Sequence, residues 1–456
     1  MTINFVESAI DALSNELDGR LILPTDADYD TARTIVSNSA DKRPGAIVRV
    51  ESAADVQRTI EVARNEGLEL AVRSGGHSGG GYSSTEGGIV LDLRDMNAVT
   101  IDAEAETAWV ETGATSGQVI AAAAEHGLVV GFGDTASVGV GGITLGGGVG
   151  YLVRKWGLTI DSLLAAEVVT ADGRLLTADP DTNADLFWAI RGGGGNFGVA
   201  IRLKFQLHPL PAFTGGLMVF NATPEVIASF VAAADAAPAE LSTICNVMPA
   251  PPLPFLPADV HGKLVAFSML AFAGDAAAAA RAIAPFRALG PIVDMVKPGP
   301  YTGMFPPEDP NYHPTAAAWT MFMNRVDGPA AKTIVDTLSS SSSSFAAVQL
   351  RVLGGAVAQI PVDATAYAHR ASPIMAHVLA LYTPDDKARQ EDWVKTFAAA
   401  LRQDDAGAYV NFLGAEGAER VRSAYPGRTW DRLQAVKAKY DPDNLFRLNQ
   451  NIVPMK

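Results

Sequence analysis

Apolar runs and helical patterns alternate along the first part of the chain. Residues 46–50 read as a strand. Residues 52–66 read as a helix, because Ala53, Val56, Ile60 and Ala63 recur at helical spacing and Gly67 follows as a stop. Residues 68–72 and 89–93 are again strand-like. Strand, helix, strand predicts a βαβ-like unit, and at its exit lies Arg73-Ser74-Gly75-Gly76-His77-Ser78-Gly79-Gly80-Gly81-Tyr82. Taken alone, that stretch is more simply read as a glycine-rich hairpin with an incidental polar residue. A strand over 108–112 precedes a helix opened by Thr115 or Ser116 and stopped at Gly127. Strands over 164–170 and 175–177 flank an Asp172-Gly173 turn, which predicts a hairpin. A helix-like run over 185–190 and a strand over 199–207 close the region.

After His208-Pro209-Leu210-Pro211 alanine, proline and methionine become more frequent, which marks a domain boundary. A second α+β domain follows, with strands over 216–220, 263–270, 318–323 and 347–353. Helices fit 224–234, 276–288, 330–338 and 386–401. Six serines, Ser339 to Ser344, read as a solvated loop, and Pro249 to Pro254 as a rigid surface loop. The tail from Tyr409 to Pro454 regains the tone of the first domain and is expected to return to it.

Composition narrows the function. A chain of 456 residues with 48% hydrophobic and 19% charged residues is an ordinary globular one, long enough for two or three domains. A formal charge of −15 argues against nucleic acid and anionic membranes as main partners. The single cysteine, Cys245, excludes an internal disulfide and a multi-cysteine metal site. His126, His208, His261, His313 and His377 show no ligand spacing, so no metal is assigned. Residues 1–17 look like an amphipathic helix without the basic start and apolar block of a signal peptide, and the apolar run over 264–272 is too short to span a bilayer. A soluble, cytoplasmic protein is expected.

Two further glycine clusters carry the chemistry: Gly131 to Tyr151, and Arg191 to Gly198. Glycines let backbone approach a ligand closely, and successive free N–H groups form a concave anion site suited to a pyrophosphate. The spacing fits neither a nicotinamide-cofactor fingerprint nor a Walker A loop, since no Gly-Lys-Ser/Thr occurs in the clusters. What remains is backbone wrapped around something flat or anionic.

Val72-Arg73-Ser74-Gly75-Gly76-His77, the two later clusters and the tail Lys439-Tyr440-Asp441-Pro442-Asp443-Asn444-Leu445-Phe446-Arg447-Leu448-Asn449-Gln450-Asn451-Ile452 together resemble the vanillyl-alcohol-oxidase superfamily, in its berberine-bridge-enzyme-like branch. The resemblance covers nearly the whole chain. It implies an α+β fold: a PCMH-type FAD-binding domain of two subdomains over 1–208, completed by 410–456, and a substrate domain with an antiparallel sheet over 209–409. Backbone N–H groups from Arg73 through Ser74, Gly75, Gly76 and His77 to Ser78 would hold the FAD pyrophosphate. His77 matches the histidine bonded to the flavin 8α-methyl in this family, a link that makes the ring more electron-poor. Thr135 stands where doubly linked members carry a cysteine, so a single covalent link through His77 is expected. Val138 matches the residue gating oxygen access and is of the permissive, small type. Val140, Gly141, Gly142, Leu145, Gly147 and Gly150 would line the flavin or its phosphates. Val199 and Ile201 would hold the adenine side, and Asn449 and Asn451 match asparagines near the ring.

The reaction implied is oxidation of a C–H beside oxygen or nitrogen, with hydride passing to flavin N5 and dioxygen reoxidising the flavin to give hydrogen peroxide. A small-molecule substrate and dioxygen are the expected partners, with no nucleic acid or membrane, in a monomer or homodimer. Tyr409 matches the tyrosine used by sugar- and polyketide-oxidising relatives; as a base it needs a neighbour that lowers its pKa, and packing alone would equally place a tyrosine there. Tyr151 is the competing tyrosine. Gln349 and Arg351 alternate along one strand and so share a face; aimed at the flavin, Arg351 would bind a substrate carboxylate or phenolate, whereas a solvated face is the simpler alternative. Trp319, Phe322, Tyr312 and Tyr301 would form a substrate wall or merely core, and His369-Arg370 resembles a structural motif. A dehydrogenase using another acceptor, and a flavin-binding protein without turnover, are the alternatives to an oxidase.

Overall fold

The computed structural model describes residues 13–37, 41–309 and 311–455, so the amphipathic segment expected over 1–17 lies mostly outside them. The βαβ-like unit forms. Strands β1 (Arg20–Ile22), β2 (Ala46–Arg49), β3 (Leu70–Arg73) and β4 (Ile89–Asp92) make one sheet in the order β1-β2-β4-β3. β4 lies between β2 and β3 and runs parallel to both. Residues 74–88 are therefore a crossover and not a hairpin, because parallel neighbours cannot be joined by a tight turn. The helix Ala53–Asn65 is capped by Ser52, whose side chain accepts from the Asp55 N–H. Its face of Val56, Ile60 and Ala63 is fully buried, packed with Val48 and Leu91 of this sheet and with Val169, Val199 and Ile201 of the next.

The following strands are β5 (Val99–Asp102), β6 (Thr107–Glu111), β7 (Leu128–Val129), β8 (Leu163–Val169), β9 (Leu175–Ala178), β10 (Val199–Gln206) and β11 (His208–Pro209). Five of them form an antiparallel sheet, β5-β6-β10-β8-β9, while β7 pairs with β11. The Asp172-Gly173 hairpin joins β8 to β9 as expected. The ladder between β10 and β8 shifts between Ala200 and Arg202, leaving Ile201 at an irregularity. Thr115 and Gln118 form a capping box on the helix Ser116–Ala124.

The third sheet comprises β12 (Thr214–Asn221), β13 (Leu241–Pro249), β14 (Leu264–Phe272), β15 (Val293–Asp294), β16 (Lys297–Pro298), β17 (Ala316–Met323), β18 (Ala346–Val352) and β19 (Ile374–Leu381). Its order is β15-β12-β14-β13-β18-β19-β17, with β16 beside β12 and every pairing antiparallel. β13 and β19 lie among the strands missing from the periodicity reading. Both their faces are covered, so neither shows the polar–apolar alternation of a half-exposed strand. Val348, Leu350, Ala376, Val378 and Met321 face the helices Pro224–Asp235, Ala276–Arg287, Gly328–Ser339 and Lys387–Leu401. Ile244, Phe322 and Met375 turn the other way, toward the glycine clusters.

The tail does return. Buried Lys437 donates to the Asn196 carbonyl at 2.7 Å and pairs with Asp441 at 2.6 Å. Asn196 in turn donates to the Gln450 carbonyl and accepts from the Ile452 N–H. The architecture is α+β, as the sequence implied. Among the described residues no helix is long and apolar enough to cross a membrane.

Candidate active site

Three glycine clusters meet at the exit of β3. Among the described residues, the backbone N–H groups from Ser74 to Ser78 donate no hydrogen bond, which leaves five successive donors open. The loop is tied down from outside. Buried Arg73 donates to the Ser83 carbonyl at 3.0 Å and the Ala32 carbonyl at 2.5 Å, and faces Asp92 at 3.7 Å. Burial lowers its pKa to about 10, which leaves it charged at neutral pH. Its guanidinium is thus an anchor for the loop. Ser74 Oγ donates to the Thr112 carbonyl at 2.5 Å.

Gly75 and Gly139 abut backbone to backbone, and a Cβ on either would overlap the other. That contact joins the first cluster to the second. The second is not wholly loop, since Val140–Leu145 is a short helix. The Val140 and Gly141 N–H groups donate to the carbonyls of Ala114 and Thr112, and the Leu145 carbonyl accepts from Gly192 and Gly194 of the third cluster, each at 2.9 Å. Exposed Gly142 faces open space. Gly150, by contrast, is pressed against the Phe132 backbone. Val199 pairs with Val169 in the sheet, and the Ile201 carbonyl accepts from the Thr112 N–H at 3.0 Å.

His77 is half-buried in the crossover. Its Nε2 lies 3.0 Å from Ser137 Oγ, and Ser137 is bonded to Glu308. Burial lowers the His77 pKa, opposed by the Glu308 charge and by Ser137, so the ring is neutral at pH 7. Thr135 and Val138 are half-buried nearby in the chain, and the Val138 carbonyl holds Ser116.

Among the described residues, three asparagine carbonyl oxygens in the tail, on Asn444, Asn449 and Asn451, are buried without a hydrogen-bond partner. An unsatisfied buried acceptor costs about 1–3 kcal/mol, so three in eight residues of chain call for a donor-bearing ligand. Leu448, between them, packs on Ile47, Ala71 and Val90 of the sheet that carries the donor loop. Asn444 went unnoticed in the sequence although it stands in the tail motif.

Tyr409 is fully buried, and its hydroxyl oxygen accepts from the Gly148 N–H at 2.9 Å and from Asn411 Nδ2 at 3.0 Å. Gly147, at φ +134°, lies against its ring, a conformation and a closeness that suit glycine. Burial raises the Tyr409 pKa, while Asn411, Gly148 and Arg351 act downward and offset part of that rise. Tyr151 is edge-to-face with Phe305 at 5.6 Å, its pKa raised by burial and by Asp134 against Arg351.

The third sheet supplies a wall. Its register sets Asn246, Gln349, His377 and Thr320 side by side on four strands, with Ile244, Arg351, Met375 and Phe322 in the next row. Gln349 donates to Asn246 Oδ1 at 2.9 Å and accepts from Arg351 Nε at 2.8 Å. Arg351 is buried and donates also to the Val149 carbonyl at 2.6 Å and to Asp134 at 2.7 Å, stacked over Phe412. Gln349 and Arg351 do share the inner face, but Arg351 spends these donors binding the sheet to the second glycine cluster rather than a free anion. Among the described residues, His377 Nε2 and Thr320 Oγ1 have no hydrogen-bond partner. Burial, and then the Arg351 charge, push His377 down to about 4.

Trp319 is not brought to this face. It lies on the helix-covered side with Met321, beneath the Arg420 guanidinium at 4.1 Å, and Tyr312 is 60% exposed. Asn246, His377 as a wall residue, Asp134 and Glu308 are reached only through strand register or contacts far apart in sequence, and no local pattern marks them. Asn411, two residues from Tyr409, had a local signal.

Two family models match, one described as an FAD binding domain over residues 44–179, the other as berberine and berberine like over 408–453. The (R)-6-hydroxynicotine oxidase of Paenarthrobacter nicotinovorans is 31% identical, over 96% of this chain and 97% of its own. A chitooligosaccharide oxidase of Gibberella zeae is 29% identical, over 90% and 87%. The crystal structure of 6-hydroxy-D-nicotine oxidase from Arthrobacter nicotinovorans superposes with a TM-score of 0.85 at 28% identity, covering 96% of this chain and 99% of that one.

Proposed function

The chain belongs to the berberine-bridge-enzyme-like family of FAD-linked oxidoreductases, and from that premise we propose that it is an oxidase carrying FAD covalently on His77 and acting on a small alcohol, sugar-like or secondary-metabolite substrate. The observation that carries the reading is the donor loop: five successive backbone N–H groups that donate no hydrogen bond among the described residues, with a neutral histidine among them. The orphaned Asn449 and Asn451 oxygens support it, because a flavin ring offers an N–H donor that would satisfy one of them.

In this reading residues 1–208 and 410–456 form the FAD-binding unit and 209–409 the substrate unit. Arg73 to Ser78 hold the pyrophosphate through backbone, while Thr135, Val138, Val140, Gly141, Gly142, Leu145, Gly147 and Gly150 border the flavin. Val199 and Ile201 border the adenine side. Bound FAD supplies the two-electron acceptor, taking hydride from the substrate C–H at N5 and passing electrons to dioxygen to give hydrogen peroxide. Tyr409, as a phenolate held by the Gly148 N–H and the Asn411 amide and favoured by Arg351, takes the proton of the substrate hydroxyl and becomes the neutral phenol. Tyr151 closes the cavity beside Phe305. Gln349 and Arg351 form the facing wall, with His377 and Thr320 offering the unpaired polar atoms that a hydroxylated substrate would engage.

The test is a visible spectrum of the purified protein, repeated on the acid-precipitated pellet, with His77→Ala alongside. Yellow colour retained by the wild-type pellet and released from the variant is expected, followed by peroxide release in an aerobic substrate screen. Colour that washes off both proteins would sink the covalent link. A colourless wild-type protein would sink the whole reading.

A further inference from the structure

His77 does not stand alone at the loop. Ser137 Oγ lies 3.0 Å from its Nε2, the same hydroxyl is bonded to a Glu308 carboxylate oxygen, and the other carboxylate oxygen accepts the Ser137 N–H at 3.0 Å. Serine sits between histidine and carboxylate. That order differs from a nucleophilic triad, in which histidine is central and activates the serine. Here the serine hydroxyl donates to the carboxylate, so its lone pairs face the ring and accept the Nε2 proton. The arrangement is a proton path leading away from the histidine.

Glu308 comes from a distant part of the chain, 171 residues on, yet its approach is set firmly. It follows Phe305-Pro306-Pro307; Phe305 is wedged edge-to-face between Tyr151 at 5.6 Å and Tyr301 at 5.4 Å, and the two prolines stiffen the step to Glu308. Glu308 itself is exposed, so nothing in the core requires it. Among the described residues it is also the charged group whose field acts on His77.

We propose that Glu308, through Ser137, drains the proton from His77 as the histidine becomes bonded to the cofactor, and so acts as a positioning residue for self-catalysed attachment. This rests on the reading of His77 as the attachment site. The bond forms between Nδ1, the nitrogen Ser137 does not hold, and the 8α-carbon of the flavin. The Nε2 proton leaves through Ser137 to Glu308, and one hydrogen leaves the 8α-carbon. Two protons and two electrons are released in all, and one dioxygen takes them up as one hydrogen peroxide. The carboxylate matters because it relieves the positive charge that would otherwise accumulate on the ring as the bond forms.

The test uses full-length apoprotein expressed under riboflavin limitation and mixed with FAD in air. Samples are quenched with acid at intervals and the flavin retained on the protein is measured by in-gel fluorescence and intact mass. Glu308→Gln is expected to bind FAD to the wild-type stoichiometry but to attach it about a hundredfold more slowly, the lower end of the range for general-base assistance. Ser137→Ala should match it, and Glu308→Asp should recover part of the rate. Attachment by Glu308→Gln at the wild-type rate would overturn the proposal, as would failure of that variant to bind FAD at all, which would make Glu308 a binding residue. Wild-type protein with no acid-stable flavin would sink the attachment reading itself, an outcome distinct from either.

Discussion

The donor loop and the sheet wall are built on opposite principles. The loop side is backbone: N–H groups from Ser74 to Ser78 that donate no hydrogen bond among the described residues, Gly75 pressed on Gly139, and carbonyls locking the three clusters together. The wall is side chain: Asn246, Gln349, His377 and Thr320 in one row, Arg351 reaching across to Asp134. A backbone site recognises what all substrates of a family share, whereas a side-chain site can change residue by residue without disturbing the fold. The difference predicts which substitutions abolish the cofactor and which retune the substrate.

The largest expected effect is at the loop. Gly139 has φ −69°, so an alanine there is not strained, but its Cβ would overlap the Gly75 backbone and Ser74 Oγ. Gly139→Ala should cost about 3 kcal/mol and lose FAD, read by thermal unfolding and by the flavin absorbance. Gly142→Ala sharpens the point, because Gly142 faces open space: it should leave apoprotein stability intact while lowering FAD content. Equal loss of stability in the two would break the distinction.

On the wall, Arg351→Met removes the link between the sheet and the second cluster. Asp134 is about a quarter exposed, so water compensates part of the loss, and about 2 kcal/mol of destabilisation with retained covalent flavin is expected. Loss of the flavin in this variant would show that wall and loop are not separable.

The smallest effect is in pH dependence. His377 in the folded protein titrates near 4, below its ordinary 6.5, so the unfolded chain takes up the proton first as pH falls. Its contribution is therefore intact above pH 6.5 and is lost progressively from there down to about 4. Between pH 7 and 5.5 this amounts to about 1 kcal/mol, seen as a falling melting temperature. His377→Gln should flatten that slope. An unchanged slope would assign the acid sensitivity to other groups.

The same contrast governs what could be read from sequence. Glycine clusters, caps and turns are local, so the helix after Ser52, the Asp172-Gly173 hairpin and the donor loop were all legible. That β3 and β4 run parallel was not, since strand direction depends on which partner each finds. On the wall, Gln349 and Arg351 were rightly given one face, because alternation within a strand is local. Their neighbours His377 and Asn246 come from strands 28 residues later and 103 residues earlier, joined only by register. Trp319 shows the converse: its hydrophobic character suited either face of β17, and one step of phase put it against the helices. Ser137 and Glu308 stand 171 residues apart and neither is conspicuous by itself.

The bonds of Asn196 set a schedule for the nascent chain. The third glycine cluster leaves the ribosome early, yet Asn196 completes its hydrogen bonds only with Gln450 and Ile452, 254 and 256 residues further on. Every residue of the eight-stranded sheet must be translated in between. The third cluster therefore waits, partly assembled, through the synthesis of more than half the protein. Loading of the cofactor becomes the last act of folding rather than its seed, and a cell short of riboflavin would accumulate finished chains ready to be filled.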